Sequence, residues 1–202
     1  MPYNRLINFS LSREFLFNHS IKVTNFLSDK EIEILENYLS DKELTDGEIG
    51  MNGEIAKNRT SKVHFFNYLQ ETKWLFEKIN RAIESVNEEY YNFDLNGYDS
   101  IQYSEYRAED DGHYDFHIDF MHDSIPQKEY DYMTRKLSFS ILLNDDYVGG
   151  DFEFLVGREP IKHNLEKGDM LLFPSFFMHR VTPVTEGVRK SLVSWVTGPK
   201  FR

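Results

Sequence analysis

From Gly97 onward the chain changes period, and this change constrains the fold more than any other feature. Over Tyr98–Tyr106, Ile101 and Tyr103 fall on one face and Gln102, Ser104 and Tyr106 on the other. Tyr114, Phe116, Ile118 and Phe120 then make an apolar face opposite Asp115, His117 and Asp119. Further strands are expected over Leu137–Leu143, Asp151–Val156, Asp169–Phe173 and Arg189–Thr197, with turn signals at Gly149-Gly150 and Glu166-Lys167-Gly168-Asp169. Side chains two apart in a strand point the same way. Many short alternating segments joined by turns point to a jelly roll or barrel. The first 95 residues read differently. Ser28-Asp29-Lys30-Glu31 is a capping box, followed by Ile32, Leu35 and Leu39 at helical spacing. A longer helix is expected from about Leu69 to Glu89, where Leu75, Ile79, Ala82 and Val86 form a stripe that Phe76 and Ile83 widen. The expected fold is α+β: a double-stranded β-helix over residues 97–199, with helices of residues 1–95 packed outside it. The whole chain, 1–202, is expected to be one domain. Residues 41–58 are polar and contain Gly47, Gly50 and Gly53, which reads as a mobile loop and a candidate cover for a site.

Composition narrows the chemistry. The chain has no cysteine, so disulfides, thiolate metal sites and a cysteine nucleophile are excluded, and any metal must be held by nitrogen and oxygen. Hydrophobic residues at 40% and aromatics at 15% can fill a packed core. The net charge of −11 repels phosphate backbones and anionic lipid, so neither a nucleic acid nor a membrane is expected as a partner. Met1-Pro2-Tyr3-Asn4-Arg5-Leu6 does not begin a signal peptide and no stretch approaches a membrane span, so a cytoplasmic location is expected.

Within the strand pattern, His117-Ile118-Asp119 puts an imidazole and a carboxylate two residues apart, where both can grip one ion. His179 supplies a second imidazole from a distant segment. Two imidazoles and one carboxylate are the protein's share of a facial triad, which leaves three octahedral positions open and suits non-haem Fe(II). Ten residues after His179 comes Arg189, on a strand whose Arg189, Ser191, Val193 and Trp195 share a face. A guanidinium facing a barrel interior needs an anionic partner, and that face carries no acid, so a bound carboxylate is the economical one.

The ordered segments resemble a known family. Tyr106, Gly112, Tyr114 and His117/Asp119 are followed by Arg135-Lys136-Leu137-Ser138 through Leu143-Asn144 and by Gly149-Gly150-Asp151. Then come Gly168-Asp169-Met170-Leu171-Leu172-Phe173, His179-Arg180-Val181-Thr182-Pro183-Val184 and Gly187-Val188-Arg189. Over residues 97–199 this set is similar to the 2-oxoglutarate/Fe(II)-dependent oxygenases of the prolyl 4-hydroxylase type. The resemblance implies Fe(II) on His117, Asp119 and His179, with 2-oxoglutarate and O₂ at the open positions and ascorbate as an auxiliary cofactor. It implies Arg189 on the C5 carboxylate of 2-oxoglutarate, with Tyr106 as a hydrogen-bond donor to it. Many relatives carry a second Tyr where Leu142 stands here, so Ser191 or Ser140 is expected to replace that contact. On the substrate side it suggests Tyr114, Arg135 and Trp195. The implied activity is hydroxylation of proline in a peptide or protein, with succinate and CO₂ released. The alternatives are a hydroxylase of a free amino acid or other small metabolite, and a non-enzymatic, cupin-like binding module. A nucleic-acid demethylase of the same superfamily would need a basic face.

Other residues carry blander expectations. His113 and His117 would form a two-His metal pair only on a helix, which Gly112 and the alternation oppose. His122-Asp123 lies in a stretch, Met121–Thr134, that reads as a loop over the site. His19, His64 and His163 are expected at the surface or in caps, and Trp74 in the core.

Overall fold

The computed structural model describes residues 19–47, 58–98, 100–120 and 133–201. All strand pairings in it are antiparallel. With strands numbered in chain order, the larger sheet runs β1 (Ile21–Val23), β11 (Met170–Pro174), β7 (Met133–Leu142), β13 (Val184–Pro199), β5 (Ser100–Arg107), β4 (Lys62–Asn67) and β2 (Thr45–Asp46). β8 (Tyr147–Gly149) pairs with the start of β13. The smaller sheet runs β10 (Ile161–His163), β9 (Phe152–Phe154), β12 (His179–Val181), β6 (His113–His117) and β3 (Arg59–Thr60). The two sheets make the double-stranded β-helix that the alternation suggested.

The helices lie outside it. α1 (Asp29–Leu39) begins with the capping box: the Ser28 side chain accepts from the Glu31 N–H, and the Glu31 carboxylate accepts from the Ser28 N–H at 2.8 Å. α2 (Lys73–Val86) buries Leu75, Ile79, Ile83 and Val86. Lys78 of α2 donates to Glu31 at 2.6 Å and ties the two helices together.

Period-two alternation gives the larger sheet two different faces. Leu137, Phe139 and Ile141 of β7, Met170 and Leu172 of β11, and Leu192 and Val196 of β13 join the α1 and α2 stripes in one buried apolar cluster. The intervening residues face the smaller sheet. There a second cluster of Tyr106, Leu171, Phe173, Phe152, Phe154 and Val181 closes one end of the interior. Beyond that cluster the inner face carries buried polar side chains, Gln102, Ser104, Ser138, Ser140, Arg189 and Ser191, beside the part-buried Val193 and Trp195.

The first 95 residues are not only helical. β1, β2, β3 and β4 come from this part and extend both sheets. Three of these strands have two or three residues, too few to show a period, and β4 alternates between two buried surfaces, Phe66 toward the helices and Val63 toward the interior. The expected 41–58 loop is therefore a strand at Thr45–Asp46, and residues 48–57 lie outside the described residues, as do 121–132. His19 and His163 are half-buried and hydrogen-bonded to each other at 3.1 Å, not surface or capping residues. Trp74 is half-buried against the helical cluster. Among the described residues no helix is long and apolar enough to cross a membrane.

Candidate metal and cosubstrate site

A cavity of about 770 Å³ opens between the sheets. His117, Asp119, His179, Arg189, Ser191 and Tyr106 line it. So do Tyr114, Arg135 and Trp195, and thus every residue singled out from the sequence as a site candidate reaches the same space.

His117 ends β6 and His179 begins β12, and the two are paired across the ladder. Asp119 lies two residues beyond β6, held where its N–H donates to the Ser175 carbonyl at 2.9 Å. One ligand atom from each of the three residues lies within 4.8 Å of the others. The imidazoles are set by their far nitrogens. His117 Nδ1 donates to the Asp115 carbonyl at 2.8 Å and His179 Nδ1 to the Phe177 carbonyl at 2.9 Å. A carbonyl can only accept, so each ring carries its proton on Nδ1 and presents the Nε2 lone pair. The two Nε2 atoms lie 3.6 and 3.5 Å from the Asp119 oxygens.

For His179 electrostatics favour the same state. Burial among Phe152, Phe154 and Phe173 pushes His179 down to about 4, so its imidazole is neutral at physiological pH. Burial alone would raise the Asp119 carboxyl. An imidazolium on either side and a hydrogen bond from Ser138 outweigh it and lower the group below the usual carboxylate range, so it stays a carboxylate even when a neighbouring ring takes up a proton. Ser138 in turn meets Ser175 at 2.9 Å. Two imidazole nitrogens and one carboxylate fit a divalent first-row metal with open positions.

Arg189 is 2% exposed. Its Nη1 donates to Ser191 Oγ at 3.1 Å, and among the described residues its Nε has no acceptor and no carboxylate reaches ion-pair distance. Ser140 Oγ, on the same cavity wall, is also buried without a partner. A buried guanidinium and hydroxyl in that condition fit a dicarboxylate, whose far end would satisfy them. Gly150 makes room for the guanidinium stem: at φ +62°, an added Cβ there would lie 2.8 Å from Arg189 Cδ.

The expected alternation of β6 needs one correction. His179 pairs with His117 but Val181 with Tyr114, so three steps on β6 match two on β12. This bulge turns Tyr114 onto the metal-ligand face, where its ring stacks on His117 with centroids 3.5 Å apart. Tyr114 therefore does not share a face with Phe116, which lies under Arg180 and away from the cavity.

Arg59 and the Ser138–Ser175 pair were not foreseen. Arg59 is buried on the two-residue β3, over the Tyr114 ring at 4.9 Å, with Nε donating to Ser61. Nothing in Asn58-Arg59-Thr60-Ser61 signals a strand. Ser138 and Ser175 are 37 residues apart, and their pairing is visible only in three dimensions.

Comparison with known proteins agrees with this geometry. Residues 101–197 match the family model described as the 2OG-Fe(II) oxygenase superfamily. A PKHD-type hydroxylase of Synechococcus sp. (strain CC9311) is 36% identical over 92 residues, 45% of this chain and 39% of that protein. Another, from Synechococcus sp. (strain JA-2-3B'a(2-13)), is 28% identical over 182 residues, 86% of this chain and 76% of that one. A prolyl hydroxylase from Trichoplax adhaerens, solved in complex with a hypoxia inducible factor oxygen degradation domain peptide fragment, superposes with a TM-score of 0.70. That match has 20% identity and covers 89% of this chain and 83% of the other. A Pseudomonas putida prolyl-4-hydroxylase gives a TM-score of 0.68 at 16% identity, covering 91% and 94%. At these identities the likeness to the solved structures concerns the fold.

Proposed function

Because the chain belongs to the 2OG-Fe(II) oxygenase superfamily, we propose that it hydroxylates proline in a peptide or protein, consuming 2-oxoglutarate and O₂ and releasing succinate and CO₂. One juxtaposition supports this above all: a His–Asp–His cluster and a buried guanidinium that has no acid partner among the described residues share one cavity. His117, Asp119 and His179 would hold Fe(II). When bound, the iron with its cosubstrate supplies the oxidising chemistry that turns a C–H bond into C–OH.

The chain's own residues bind, orient and exclude water. Arg189 offers its planar fork to the C5 carboxylate of 2-oxoglutarate, and Ser191, bonded to that fork, fixes its tilt. Ser140 and Tyr106 line the same wall and are the remaining hydroxyls for the cosubstrate, since Leu142 is apolar. Phe152, Phe154 and Phe173 keep water from the far side of His179. Tyr114, Arg135 and Trp195 would meet the substrate. The PKHD-type relatives and the peptide-bound prolyl hydroxylase favour a peptidyl proline.

The test is turnover. Purified protein with Fe(II), ascorbate and 2-oxoglutarate is scanned across proline-containing peptides for succinate release and for a gain of one oxygen in the peptide. Peptide-dependent succinate with a matching mass gain supports the reading. Stimulation by free amino acids and by no peptide would replace it with a small-molecule hydroxylase.

A further inference from the structure

His19 and His163 take no part in the site between the sheets, yet the fold brings them together. His163 ends β10, an edge strand of the smaller sheet, and His19 stands two residues before β1, an edge strand of the larger one. They are 144 residues apart in the chain, and their Nε2 atoms lie 3.1 Å apart, with ring centroids at 5.2 Å. Both rings stand edge-on to Phe154, which packs on His179, and His19 also stands edge-on to Phe177. The pair therefore joins the two sheets at the aromatic end of the interior.

Without an ion, one Nε2 must donate its proton to the other. With an ion, both can offer a lone pair. Zn(II) takes imidazole nitrogens at about 2.0–2.1 Å, and two of them on one tetrahedral ion stand about 3.3–3.4 Å apart. The observed separation is a few tenths of an ångström short of that span, which a small rotation of each ring supplies. A ligand must be neutral to bind a cation. Burial lowers the pKa of both rings, and for His163 the charges on His19 and Lys22 lower it further, so both are neutral at physiological pH. Lys22 itself faces the Asp169 carboxylate at 3.5 Å and donates to the Asn164 carbonyl at 3.2 Å, so its charge is opposed where an ion would sit nearby. His163 also lines a second cavity, of about 370 Å³, which gives an ion and its waters access to this edge. Among the described residues no third His, Asp or Glu joins the pair, so waters complete the coordination and the site is weaker than a closed zinc site of four protein ligands.

We propose that His19 and His163 form a second metal site, for a divalent ion that favours imidazole, Zn(II) above all, and that the ion clips the edge of one sheet to the edge of the other. Bound to the folded chain only, it stabilises the fold by mass action and takes no part in turnover. Mn(II), at the weak end of the divalent series, should leave this pair empty and fill only the His117–Asp119–His179 site. The inference does not depend on which substrate that site serves.

The experiment is a calorimetric Zn(II) titration of the intact chain, in wild type, His163→Gln, His19→Gln and His179→Ala. Wild type should bind two Zn(II), one strongly and one weakly. In His163→Gln and in His19→Gln the weak affinity should fall about tenfold or more, since losing a ligand costs at least as much as losing the group that orients one. Mn(II) and 2-oxoglutarate binding should stay at wild-type strength in both, which also shows that the variants fold. His179→Ala should lose the strong Zn(II) and keep the weak one, and Zn(II) should still raise its melting temperature. Adding His163→Gln to His179→Ala should abolish that rise. One Zn(II) per chain in wild type, or a second Zn(II) that binds equally well in both His163→Gln and His19→Gln, would overturn the inference.

Discussion

The two faces of the larger sheet are made by the same strands and do opposite things. On β7, Leu137, Phe139 and Ile141 point out to the helices, while Ser138 and Ser140 point in. On β13, Leu192 and Val196 point out, and Arg189, Ser191 and Trp195 point in. The outer face is apolar and closed by α1 and α2, and such burial stabilises by about 25 cal/mol per Å². The inner face buries the Nε of a guanidinium and a hydroxyl that find no partner among the described residues, which costs stability unless a ligand satisfies them. One residue of register separates structure from function, and the two should respond differently to substitution.

The largest contrast should come from the outer face. Ile141 is fully buried among the helix-facing residues. Ile141→Ala should lower the unfolding free energy by about 2–5 kcal/mol. Mn(II) affinity per folded molecule should not change, and a chemical melt beside a metal titration checks both. A parallel loss of metal affinity would mean that the two faces are mechanically coupled.

Arg189→Lys should do the reverse. It keeps the charge but loses the two-point fork, so 2-oxoglutarate affinity should fall by about 1.5–3 kcal/mol, roughly one to two decades. The melting temperature should stay close to wild type, because the substitution keeps one cation in the cavity and leaves the helix-facing core untouched. Unchanged 2-oxoglutarate affinity would move the cosubstrate carboxylate elsewhere.

Ser138→Ala removes a group that touches Asp119 and the Ser175 hydroxyl. Loss of such an outer hydrogen bond should weaken Mn(II) binding about tenfold. The effect should appear in metal affinity before it appears in the melt, since Ser138 lies on the inner face.

The smallest effect belongs to the helix pair. Burial alone would raise the Glu31 carboxyl, but its bonds with Lys78 and Ser28 outweigh this and lower it from 4.5 to about 2. Its contribution to stability is therefore complete above about pH 4.5 and is lost as the pH falls through about 2. Glu31→Gln should cost about 0.5–1 kcal/mol near neutral pH. The gap from wild type should narrow at pH 3, as urea melts at the two pH values will show, with no change in metal binding.

Much of this division can be read from the sequence. Alternation over Ile101–Tyr106 and Arg189–Trp195 assigned residues to the correct faces, because long antiparallel strands keep strict register. The His-x-Asp spacing and His179 converge as expected. The Tyr114 ring escaped because a bulge breaks the alternation between Tyr114 and His117, and no residue there marks one. Arg59 escaped because β3 has two residues and takes its place from its partner β6. The Ser138–Ser175 contact joins segments whose proximity is a product of the whole fold.

The central claim is that the cavity between the inner face and the smaller sheet is a joint site for a divalent metal and 2-oxoglutarate. A sequential calorimetric titration of the intact protein, Mn(II) first and 2-oxoglutarate second, tests it most directly, with His179→Ala alongside. The account predicts one Mn(II) per chain, then one 2-oxoglutarate whose binding requires the metal. In His179→Ala the metal affinity should fall by more than about 100-fold while the melt is preserved. Stoichiometric Mn(II) binding of wild-type strength in His179→Ala would contradict it, as would 2-oxoglutarate binding that is indifferent to the metal.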